Sequence, residues 1–120
     1  MRNPFRKGYK ITLNRVYDRV IIRENGETLT LTVNGDTQRM VAGLTNAQHK
    51  MKEIANGEPT PEQTREIAEY FASVIFGVEQ AKKLSEFYAD DPGSVINVCG
   101  KYFRERLVKL ISKEQKKMNV

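Results

Sequence analysis

The chain has 120 residues and a formal net charge of +5, with 39% apolar and 29% charged residues. That is the size of one domain with a modest core, and no apolar run is long enough to cross a bilayer. Met1 to Lys10 is basic without the apolar middle of a secretion signal, and Cys99 is the only cysteine, so the reading is a protein of the cytoplasm with no internal disulfide.

Residues 1–8 read as a mobile arm. Tyr9, Ile11 and Leu13 then alternate with polar residues, which predicts a short strand. Asn25 and Gly26 sit between two β-rich runs, and Asn-Gly suits a two-residue turn because both residues tolerate positive φ. Closing that turn pairs Glu24 with Glu27, Ile22 with Leu29 and Val20 with Leu31. It sends Arg19, Ile21 and Arg23 to the other face with Thr32, Thr30 and Thr28. One apolar and one mostly polar face emerge together, and so small a sheet needs helices against it.

Asn34 and Gly35 read as a second turn, leading to Asp36 or Thr37 as a helix cap. Met40, Leu44, Ala47, Met51 and Ile54 then recur at steps of four and three, and Asn56 with Gly57 ends that helix. Thr60, Pro61 and Gln63 start another, whose stripe is Ile67, Tyr70, Phe71, Val74 and Ile75, with Gly77 as its stop. A shorter helix is predicted from Val78 to Tyr88, with Leu84 and Phe87 inward.

The last predicted helix, Asp91 to Met118, is the most strongly patterned stretch. Ile96, Cys99, Phe103, Leu107, Leu110 and Ile111 form one stripe, and Lys101, Arg104, Arg106, Lys109, Lys113, Lys116 and Lys117 lie opposite. Asp90 and Asp91 before Pro92 make a start signal. The pattern predicts an α+β, mainly α, single domain over residues 1–120. A small N-terminal antiparallel β-hairpin or three-stranded sheet (9–34) is followed by about four helices (36–118), the last one long.

Charge is unevenly spread. Residues 1–23 hold seven Lys or Arg against Asp18, a balance of +6; residues 24–100 hold six against twelve acids, −6; residues 101–120 hold seven against Glu105 and Glu114, +5. Such a layout permits nucleic-acid binding and equally suits self-association or an acidic protein partner.

Few groups are available for chemistry. His49, the only histidine, falls beside Lys50 on the flank of the first helix and reads as a surface residue. Cys99 falls on an apolar stripe and reads as a small core residue. Asp90 and Asp91 read as caps. No phosphate loop, dinucleotide fingerprint or metal-ligand spacing is present in the sequence, so no cofactor and no metal are expected. Tyr102 and Phe103 beside Lys101, Arg104 and Arg106 offer the elements of a nucleic-acid surface, though both aromatics fall on the apolar stripe.

Taken whole, EYFASVIFGVEQAKKLSEFYADDPGSVINVCGKYFRERLVKLISKEQKK resembles the tail assembly chaperones of long-tailed bacteriophages. The likeness rests on a helix ending in Phe76-Gly77, a short helix with Phe87-Tyr88, an acidic turn, and a last helix with Tyr102-Phe103 and Gln115-Lys116-Lys117; it covers roughly residues 10–118. It implies a non-enzymatic protein of the host cytoplasm, not retained in the mature virion. Such a protein binds the tape measure protein, keeps it soluble and assists tail tube polymerisation. Further implied partners are the tail tube protein, a frameshifted longer form and other copies of the chain; no membrane partner is expected, and nucleic acid is a partner only in the alternative reading. The expected contact surface is the final helix, the Ile67 to Ile75 helix and the groove between them, with Phe76, Phe87, Tyr88, Tyr102, Phe103, Leu107 and Leu110 as contact residues. The alternative is a small basic nucleic-acid-binding or regulatory protein using Lys101, Arg104, Arg106, Lys109 and Lys113.

Overall fold

The computed structural model describes residues 8, 9, 11 and 13–118. Two antiparallel strands, β1 (Arg15–Glu24) and β2 (Glu27–Asp36), form a hairpin in the expected register, Glu24 opposite Glu27 and Val20 opposite Leu31. Asn25 (φ 52°) and Gly26 (φ 80°) supply the positive φ angles that let a two-residue turn follow the twist of the strands. Val16, Leu31 and Val33 of the inner face are buried, and Val20, Ile22 and Leu29 pack half-buried toward the tip.

The hairpin departs from expectation at both ends. Tyr9, Ile11 and Leu13 carry no strand and are 91%, 69% and 58% exposed, so among the described residues the sheet has two strands. Asn34 and Gly35 make no turn; they pair with Tyr17 and Val16 inside the ladder. The expected arm, apart from Gly8, lies outside the described residues. β2 passes straight into helix α1 (Thr37–Ala55), where the Asp36 carboxylate accepts from the Gln38 and Arg39 amides. Thr37 is buried at this corner, and its amide and hydroxyl both donate to the Asn14 carbonyl at 2.9 Å. The start of β1 is thereby tied to the start of α1.

Helix α2 (Pro61–Phe76) opens on a complete capping box: the Thr60 hydroxyl accepts from the Gln63 amide and the Gln63 side chain accepts from the Thr60 amide. It is the hub of the helical layer, burying Ile67, Ala68, Phe71, Ala72, Ile75 and Phe76. Helix α1 approaches it at Gly43, where a Cβ would meet Val74 Cγ1 at 2.8 Å. Gly77 (φ 86°) ends α2 and begins α3 (Val78–Phe87), whose Ala81 and Leu84 are buried.

The Asp91 carboxylate, accepting from the Gly93 amide and the Ser94 hydroxyl, starts the final helix. This helix runs as α4 (Pro92–Tyr102), a π-helical turn (Phe103–Leu107) and α5 (Val108–Met118). The π turn explains how one stripe stays inward for so long. Val95, Cys99, Phe103, Leu107 and Ile111 lie four residues apart, and each such step overshoots a full α-turn by about 40°. Uncorrected, Ile111 would face well away from Val95. The Val108 amide instead reaches back to the Phe103 carbonyl, absorbing one extra residue in the turn, and Val95, Cys99, Leu107 and Ile111 are all buried.

Candidate functional site

The structure separates the expected contact residues into three pairs and a lone Leu110. Phe76 and Leu107 are core, 5% and 0% exposed, so they are not surface residues. Tyr102 and Phe103 are half-buried at the inner seam: Tyr102 stacks on Phe76 with centroids 5.9 Å apart, and Phe103 meets Phe71 edge-on at 6.4 Å. Around these rings the groove expected between α2 and the final helix is filled by their own side chains, while a cavity of ≈ 270 Å³ remains at its start, between Arg65, Ala68 and Glu69 of α2 and Pro92 and Val95 of the final helix. Phe87 and Tyr88 sit half-buried at the end of α3 with their rings edge-to-face at 5.1 Å. Burial first, and then Glu24 at the hairpin tip, push the Tyr88 phenol up to about 12. Leu110 is half-buried on α5.

An open groove lies one helix further over. Leu44, Ala47, Gln48 and Met51 of α1 form one wall, and Ile96, Asn97, Gly100, Phe103 and Arg104 of the final helix form the other. Phe71 of α2 contributes to the lining between them, around a volume of ≈ 260 Å³. Of the expected contact residues, Phe103 alone lines it. Its surface is mainly apolar, with amides and one guanidinium interspersed. At Gly100 a Cβ would come within 3.1 Å of Arg104 Nη1, the movable end of an exposed side chain. The α1 wall was not singled out from sequence as a contact surface, yet a signal existed. The α1 stripe runs on through Met51 and Ile54, and both remain only half-buried, so that seam is longer than its neighbours cover.

A polar hub fixes the other flank of the final helix. The Tyr102 hydroxyl donates to Asp18 Oδ2 at 2.8 Å, and Arg106 grips both Asp18 oxygens at 2.8 and 3.0 Å. The Arg106 hydrogen bond is the main reason the Asp18 carboxyl lies below the usual carboxylate range; burial opposes it, and the Tyr102 hydroxyl adds to it. Burial and then the Asp18 charge raise the Tyr102 phenol. Arg106 is thus engaged within the chain, whereas Lys101, Arg104, Lys109 and Lys113 are solvent-facing.

The remaining candidates take structural places. His49 is exposed on α1, and the Lys50 ammonium beside it lies 5.3 Å from the Tyr70 ring centroid. Cys99 is fully buried, and burial pushes its thiol up to about 12, far from the thiolate range. Asp91 caps the final helix, and Asp90 accepts from the Ser85 hydroxyl. Among the described residues no group of three or more His, Cys, Asp or Glu side chains is placed to hold a metal ion. No described helix is long and apolar enough to cross a membrane.

No family model, curated protein or solved structure matches the chain.

Proposed function

We propose that this chain is a tail assembly chaperone of a long-tailed bacteriophage: a host-cytoplasmic protein that binds the tape measure protein, keeps it soluble while tube subunits assemble, and performs no reaction. One observation carries the reading beyond the sequence resemblance, the open apolar groove between α1 and the final helix. A groove walled by two helices suits the apolar stripe of an amphipathic client helix, the kind of surface a long helical tape measure exposes before the tube encloses it. Tail tube subunits, a frameshifted longer form and other copies of the chain belong to the same reading as partners.

Co-expression with the tape measure protein tests it. The native chain is expected to hold the client in the soluble fraction, and the pair Ile96→Lys with Phe103→Ser, placed in the groove wall, is expected to leave it insoluble while the variant itself stays folded by circular dichroism. A client that remains insoluble with the native chain overturns the reading. The exposed cations Lys101, Arg104, Lys109 and Lys113 support a second reading, binding to nucleic acid. Salt separates the two: phosphate binding collapses as salt rises, whereas apolar client binding persists.

A further inference from the structure

The two edges of the hairpin are treated differently. Because Glu24 and Glu27 flank a two-residue turn, hydrogen-bonded and non-bonded pairs alternate from there, and the amides and carbonyls of residues 17, 19, 21 and 23 on β1, and of 28, 30, 32 and 34 on β2, point away from the partner strand. The β2 edge is closed at its middle by Gln80 of α3. Its side-chain oxygen accepts from the Thr32 amide at 2.7 Å and its nitrogen donates to the Thr32 carbonyl at 2.5 Å and the Phe76 carbonyl at 2.8 Å. One amide side chain thus occupies the donor and acceptor that an added strand would use.

On β1 the Arg19 amide is engaged by the neighbouring Asp18 carboxylate, but among the described residues no side chain occupies the outward amides and carbonyls of 21 and 23. The side chains beside that edge alternate in kind: Tyr17 and Ile21 are 67% and 49% exposed, while Arg19 and Arg23 are exposed and make no ion pair among the described residues. We propose that this edge receives an extended acidic segment of a partner protein as a third strand. Its Asp or Glu residues would lie beside Arg19 and Arg23, and an apolar residue between them beside Ile21.

Charge selects this occupant. A second copy of β1 brings Arg15, Arg19 and Arg23 and no carboxylate to the same face, crowding like charges across the new ladder. The chain's own residues 1–10 hold four Lys or Arg and no acid, again the wrong sign. An acidic strand offers both complements at the period of two that a ladder imposes: backbone groups for the open edge, and carboxylates for guanidiniums that make no ion pair among the described residues.

The test uses the full chain and a fluorescently labelled peptide of sequence ETVTETVTE, read by anisotropy. Saturable binding is expected, and Arg19→Glu with Arg23→Glu should weaken it about tenfold or more. Ile21→Pro should abolish it while leaving the melting curve in place, because the nitrogen at position 21 faces away from β2 and proline is tolerated on such an edge. Three results overturn the proposal: no binding by the native chain, equal binding of the scrambled peptide EEETTTTVV, or sedimentation of the native chain as a dimer that Ile21→Pro dissociates.

Discussion

The final helix presents its apolar stripe to two neighbours, with opposite results. Toward α2 it is sealed from Cys99 to Leu107: both are fully buried and Tyr102 between them stacks on Phe76. Toward α1 it stays open over a groove of ≈ 260 Å³ in which Ile96 and Phe103 remain half-exposed. The same residue types at the same spacing thus serve as core on one side and as accessible surface on the other. What differs is the neighbour. Helix α2 brings Phe71, Ile75 and Phe76, whereas α1 lines the groove with Leu44, Ala47, Gln48 and Met51 and makes its close approach, at Gly43, to Val74 of α2.

That contrast can be broken from the closed side first. Leu107→Ala leaves a void where the surroundings are packed on every side and should cost about 2–5 kcal/mol in denaturant unfolding. Phe103→Ala, at the groove, should cost markedly less despite removing a larger side chain. Equal losses would mean that the groove is closed in solution.

A smaller effect is expected from Gly43→Leu. Any Cβ there meets the branched Val74, so a leucine should wedge α1 from α2, destabilise by about 1–3 kcal/mol and change client binding through the groove wall that α1 supplies. An unchanged melting curve would show that the helices do not approach closely at Gly43.

The smallest effect at neutral pH, and one that grows in acid, concerns the hub that holds the final helix against β1. A carboxyl whose folded pKa is depressed adds stability above its unfolded value, about 4, and loses that contribution as pH falls through the folded value. Acid unfolding of the native chain should therefore steepen below pH about 4, and Asp18→Asn should flatten that part of the profile. An Asp18→Asn profile parallel to the native one would show that Arg106 and Tyr102 do not hold the carboxylate in solution.

Much of this architecture was legible locally. The Asn25-Gly26 turn dictated the register of ten paired positions, and the capping signals at Asp36, Thr60 and Asp91 marked three of the helix starts. These depend on interactions within a few residues, which is why spacing and residue type suffice to read them. Local reading failed where a long-range partner decided the outcome. Asn34-Gly35 carries a turn pair, yet opposite Tyr17 and Val16 it continues a strand. Tyr9, Ile11 and Leu13 alternate like a strand, but no described strand pairs with them.

Which faces are apolar, where the helices begin and how the hairpin pairs follow from local residue order, because helical and strand periods are properties of the chain. Long-range packing set which part of a stripe became core and which became groove. It also placed the π turn that keeps Leu107 and Ile111 inward, and the Gln80 side chain that closes one sheet edge and not the other. Burial depends on the volume and approach of a second element, and no residue spacing within the first encodes that.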